Sequence, residues 1–113
     1  MPTIKRTEQS LIKPTIDLLT MLGCCVWRQN AGGMKATYQG KNRFIKFSHR
    51  EGISDIIGIA PDGRFIAVEL KVGKNKTTER QEEFLAEVRQ RGGIAIVAYD
   101  LDEVAKQFQE SKQ

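Results

Sequence analysis

The stretch 54-SDIIGIAPDGRFIAVELKV-72 constrains the fold more than any other part of the chain. Two apolar runs flank 61-PDG-63, where Pro suits the first turn position and Gly supplies a left-handed conformation. Together they describe a three-residue hairpin loop with a G1 bulge. Taking Ala60 and Arg64 as the closing pair sets Ile56 opposite Val68 and Asp55 opposite Glu69. Directly opposed side chains have Cβ atoms about 4.5–5.5 Å apart, and like charges so placed destabilise a sheet. Lys71 lies two residues past Glu69 and projects from the same face. A hairpin built from Ile56, Ile57, Ile66, Val68, Leu70 and Val72 therefore carries three ionisable groups at the end away from its turn.

Opposed carboxylates require either a proton on one of them or a cation between them. Asp55, Glu69 and the backbone carbonyl of Leu70 make an oxygen-rich site for a hard cation. Mg²⁺ fits that count, because it keeps several waters and binds through one or two carboxylates plus substrate phosphate. Lys71 is then placed to orient a water or help deprotonate it. The alternative is a surface ion pair in which Lys71 merely neutralises Glu69. The apolar flanks speak against that, since ionisable groups among them are costly unless they are used.

The remainder reads as a frame for this hairpin. Leu11, Ile12, Ile16, Leu19 and Leu22 recur at helical spacing, and Gly23 is a natural C′ residue. The start of that helix stays open. With Thr7 at the start Pro14 falls in the interior, and with Ser10 as N-cap it falls in the first turn. Then 25-CVWRQ-29 reads as a strand, followed by Gly-rich 30-NAGG-33 and a looser segment leading to a strand at 43-RFIKFS-48. A helix from about Thr78 to Arg91 stops at Gly92-Gly93, 94-IAIVAY-99 is a buried strand, and 101-LDEVAKQFQ-109 is a short helix. The order αββββαβα predicts an α/β fold, a mixed β-sheet flanked by helices.

At 113 residues the expectation is one domain over 1–113. No apolar run reaches the roughly 20 residues of a membrane span, and MPTIKRTEQS lacks the apolar core of a secretory signal. Adjacent Cys24 and Cys25 form neither an ordinary disulfide nor a metal motif, which fits a reducing cytoplasm with both thiols as small packing residues. Neither membrane nor organic cofactor is expected as a partner. The net charge of +4 is uneven: residues 1–54 hold nine Lys/Arg against three Asp/Glu, and residues 55–113 hold nine against eleven. Arg28, Lys35, Lys41, Arg43, Lys46 and Arg50 punctuate the segment before the hairpin. As a group they suit phosphate contacts that hold a DNA backbone without reading sequence. His49 reads as a surface histidine, Trp27 as a core or interface residue, and Ser54 has no base to make it a nucleophile.

Ser54-Asp55 followed by Glu69-Leu70-Lys71 resembles the motif of the PD-(D/E)XK nucleases, with Ser in place of the usual Pro. The segment 52-GISDIIGI-59, the VELK strand and a helix opening with Gln81 resemble the VRR-NUC family in order and spacing. Glu8 and 28-RQNAGG-33 extend the likeness from about Glu8 to Tyr99. The resemblance implies a restriction-endonuclease-like core and Mg²⁺- or Mn²⁺-dependent cleavage of DNA. The chain is similar to compact members of phages and bacteria, which implies a homodimer acting on branched DNA such as Holliday junctions. By position it makes Asp55 and Glu69 metal ligands, Lys71 the catalytic lysine, Gln81 a helper for water or phosphate, and Glu8 a further acid. Gln81 has a second explanation, because 78-TERQ-81 fits a capping box. Two other functions share the fold: a DNA-binding module without catalysis, and a sequence-specific restriction endonuclease.

Overall fold

The hairpin closes as its turn residues require. Gly63 has a φ of +90°, its N–H donates to the Ala60 carbonyl at 2.9 Å, and the Ala60 N–H donates to the Arg64 carbonyl at 2.8 Å. The register that follows sets Ile56 opposite Val68 and Ile59 opposite Phe65, as the sequence predicts. The structure is a computed structural model that describes residues 7–29, 33–46 and 51–112, with 33–36, 38 and 44–46 described as backbone alone.

The elements are α1 (Glu8–Met21), β1 (Cys25–Arg28), β2 (Gly33–Tyr38), β3 (Lys41–Lys46), β4 (Ile56–Ile59), β5 (Phe65–Leu70), α2 (Glu79–Gln90), β6 (Ile94–Ala98) and α3 (Leu101–Glu110). The main sheet has the order β1-β4-β5-β6. Its first two pairings are antiparallel and the β5–β6 pairing is parallel. The parallel pair needs a crossover, and α2 supplies it. This is the α/β, restriction-endonuclease-like fold that the sequence predicts, with one addition. The looser segment holds a strand of its own, β2, which pairs with β3 as a separate two-stranded sheet. The order is therefore αβββββαβα. The joining turn has Gln39 at φ +51° and Gly40 at φ +74°, the two positive values of a type I′ hairpin.

Strand alternation divides the main sheet between two layers. Ile56, Ile66, Val68, Leu70, Ile94, Ile96 and Ala98 face α1 and α3, where Leu11, Ile12, Leu19, Val104 and Phe108 complete the core. Ala67 faces the other way, onto Leu85 and Val88 of α2. Helix α1 begins at the earlier of its two candidate starts. Thr7 is the N-cap, with Thr7 and Ser10 each accepting from the other's backbone N–H at 3.0 Å. The helix runs through Pro14, and burial of Leu11, Ile12, Thr15 and Leu19 offsets the hydrogen bond that Pro14 forfeits.

Two expectations about single residues change. Cys25 is exposed while Cys24 is buried, so only Cys24 serves as packing. Trp27 is 46% exposed on β1 and so is no core residue. Gly58 is buried because β1 crosses close to it. A Cβ there would collide with the Cys25 carbonyl oxygen and come within 2.7 Å of the Val26 Cα. Gly58→Ala should therefore lower stability by about 1–3 kcal/mol, as overpacking does in other interiors. A shift of the urea midpoint reads this out, and an unchanged midpoint would refute the close approach of β1.

Candidate active site

Every second residue of β5 after Ala67 points to the α2 layer, so Glu69 and then Lys71 come from the same face of the sheet. Both are almost fully buried, at 2% and 7% exposure. Lys71 Nζ stands 3.7 Å from Glu69 Oε1. Asp55 enters from the residue before β4. Its backbone carbonyl accepts from the Gln29 N–H at 2.8 Å, and its Oδ2 accepts from the Leu70 N–H at 3.0 Å. The carboxylate thus satisfies a backbone donor at the point where the β4–β5 ladder runs out.

Gln81 caps α2 and also reaches Glu69. Its Oε1 accepts from the Thr78 N–H at 2.8 Å, completing the capping box of α2. Its Nε2 donates to Glu69 Oε1 at 3.1 Å. One amide has two ends, and each end takes one role.

The electrostatics centre on Glu69. Burial pushes its carboxyl up to about 8, the charge of Asp55 adds to the rise, Lys71 opposes it, and a carboxyl–carboxyl hydrogen bond with Asp55 and then the charge of Glu8 push it further. Glu8, on the first turn of α1, is thus close enough for its charge to be felt at the site. Among the described residues no group of three or more His, Cys, Asp or Glu is gathered so as to hold a metal ion. Glu69 Oε2 is buried and has no hydrogen-bond partner. Ser54 is fully buried with its hydroxyl also unpartnered, consistent with its exclusion as a nucleophile.

The predicted phosphate contacts are not all brought together. Arg28 lies on the α1 side of the sheet, where its guanidinium donates to Gln9 Oε1 at 2.9 Å. Lys41 and Arg43 are exposed on β3. Lys35 and Lys46 fall on β2 and β3, where the description is of backbone, and Arg50 and His49 lie outside the described residues. An open cleft of about 600 Å³ between Phe65, Phe84, Val88 and the Asp62–Arg64 turn is at the opposite end of the hairpin from these carboxylates.

A mixed sheet that delivers an Asp and a Glu-x-Lys from neighbouring strands, with a helix amide on the Glu, defines a nuclease-type, DNA-acting domain. The VRR-NUC domain model matches residues 26–100, and the chain belongs to that family. A solved structure described as "VRR_NUC domain" is similar over 92% of this chain and 97% of its own, with a TM-score of 0.60 at 21% identity, a likeness of fold. Among curated proteins no relative matches. No helix among the described residues is long and apolar enough to cross a membrane.

The pKa of Glu69 has a consequence for stability. Below the ordinary value of 4.5 the folded and unfolded chains both hold this proton. Between 4.5 and about 8 the folded chain keeps a proton the unfolded chain has lost, so stability falls as pH rises through that window. In EDTA the melting temperature of the wild type should drop across this range more steeply than that of Glu69→Gln. Parallel curves would show that Glu69 is not held protonated.

Proposed function

We propose that this chain is a divalent-metal-dependent endonuclease that hydrolyses DNA phosphodiester bonds, acting as a homodimer on branched DNA such as four-way junctions. The observation that carries the chemistry is half-buried Asp55 beside buried Glu69, one oxygen of which is unpartnered. A buried acceptor without a partner costs about 1–3 kcal/mol, and a cation satisfies it while removing the repulsion. Asp55 and Glu69 are the residues that would hold Mg²⁺ or Mn²⁺, with the Leu70 carbonyl beside them and Glu8 reaching in through water. A bound cation supplies a lowered pKa for water and offsets the charge that develops on the phosphate.

The chain's own residues do the rest. The Leu70 N–H holds one oxygen of Asp55, and the Gln81 amide holds Glu69 Oε1, so both carboxylates are oriented before substrate arrives. The Lys71 side chain ends 3.7 Å from Glu69 Oε1, placed to orient a water or to meet the phosphate. Basic side chains outside the site hold the DNA backbone.

Cleavage of labelled four-way junction, flap and linear duplex DNA with Mg²⁺, Mn²⁺ or EDTA tests this reading. The wild type should cut the junction only with metal, and Glu69→Ala should lose at least about a hundredfold in rate, the scale of losing electrostatic stabilisation at a reacting group. Cutting that ignores branching would retain the chemistry and remove the junction preference. Tight binding without cutting under any metal would leave a DNA-binding module.

The homodimer has support from an exposed apolar row on the α2 side of the sheet. Trp27, Ile59 and Phe65 are 46%, 48% and 41% exposed, and the β1–β4–β5 register puts them on one face with Cys25. Light scattering at micromolar concentration should give a dimer for the wild type and a monomer for Trp27→Glu/Phe65→Glu. A wild-type monomer would count against junction resolution.

A further inference from the structure

Residues 33–46 hold Lys35, Lys41, Arg43 and Lys46 and no acidic residue. These fourteen residues carry +4, which is the net charge of the whole chain, so the other 99 balance to zero. The same residues form the β2–β3 ribbon, whose strands pair with each other alone. Among the described residues, neither strand packs extensively against a helix or the main sheet. A two-stranded ribbon without such packing is marginal in water and is expected to find its partner outside the chain.

Both stems of the ribbon are anchored at the candidate active site. On one side Gln29 donates to the Asp55 carbonyl. On the other, Gly52, at φ +80°, sits so close to α2 that a Cβ would come within 2.6 Å of the Arg80 carbonyl carbon, and Glu51 pairs with Arg80 at 3.0 Å. Arg80 directly precedes Gln81, whose amide bonds Glu69. The excursion therefore leaves beside one proposed metal ligand and returns beside the residue that orients the other.

The register puts the four cations on four different rungs. Lys46 is opposite Gly33, Lys35 opposite Phe44, Arg43 opposite Ala36, and Lys41 opposite Tyr38. No cation faces another across the ribbon, where like charges would repel. At about 3.4 Å per rung the cations extend over roughly 17 Å, about five base-pair steps of a duplex. A two-stranded ribbon is also of a width that a DNA groove admits.

We propose that the β2–β3 ribbon is an arm that lies along duplex DNA next to the cut site and supplies most of the sequence-independent affinity through Lys35, Lys41, Arg43 and Lys46. This rests on the nuclease reading above and adds to it where on the chain the duplex is held.

The test measures binding, in EDTA, of a duplex of about 24 base pairs to full-length Glu69→Gln protein, with and without K35Q/K41Q/R43Q/K46Q. Loss of the four cations should weaken binding by more than about tenfold and reduce the slope of log K against log salt by about 3.6, that is about 0.9 per phosphate contact. K41Q/R43Q, at the exposed end of the ribbon, should show about half that change in slope. It also serves where the fourfold variant does not fold. Unchanged affinity and slope in a variant that keeps its melting temperature would overturn the arm. So would a variant that turns from dimer to monomer at unchanged DNA affinity, since the ribbon would then be a contact between copies. Failure of the two readings is separable. A wild type that cuts nothing, with a ribbon variant that still loses affinity, removes the nuclease and keeps the arm. A wild type that cuts, with a variant that binds equally well, does the opposite.

Discussion

Repulsion between Asp55 and Glu69 is the constraint around which the rest of this structure is arranged. Two carboxylates near one another, one of them buried, are unfavourable, and several neighbours reduce that cost. The Leu70 N–H takes one oxygen of Asp55, the Gln81 amide and Lys71 take one oxygen of Glu69, and a proton at the folded chain's raised pKa takes up part of the remainder. One oxygen of Glu69 is left with no partner. A site designed only for stability would have filled that position with an apolar side chain, because isolated buried charge rarely repays its desolvation.

The fold makes this arrangement possible by giving β5 two independent faces. Ile66, Val68 and Leu70 bury toward α1 and α3 and hold the strand in place. Ala67, Glu69 and Lys71 look toward α2, and the small Ala67 lets Leu85 and Val88 pack closely before the charged pair begins. The parallel β5–β6 pairing forces a crossover, and the crossover helix starts just past the strand that carries Glu69. The capping box then does two things at once. It ends the unpaired backbone of α2, and it points the Gln81 amide at Glu69 near the positive end of the helix dipole.

The legible parts of the sequence were those where local rules and burial agree. The PDG turn fixed the hairpin register, and that register alone brought Asp55 opposite Glu69. Thr78, Gln81 and Gly92-Gly93 bounded α2 within a residue or two. What was not legible depended on partners far along the chain. Strand β2 lacked clean alternation and turned through Gln39-Gly40 rather than Asn-Gly, so its pairing with β3 was hidden although the positive-φ turn was there to be read. The start of α1 turned on a Thr7–Ser10 capping box, which the Pro14 argument obscured. Gln81 was posed as a choice between cap and site because the sequence does not show that the two ends of one amide can face different partners. Cys25 was read as a packing residue and Trp27 as core or interface, and only the sheet order, with β1 at an edge, exposes them.

Charge placement links these levels. The 99 residues outside the ribbon sum to zero and impose little long-range repulsion on a core already burdened with buried ionisable groups, while the positive charge is set apart on the ribbon. Field from the ribbon falls off over about 10 Å at ordinary ionic strength, so it is felt mainly beside the ribbon itself. Gln29 and Gly52, which flank the ribbon in sequence, lie against Asp55 and against the start of α2.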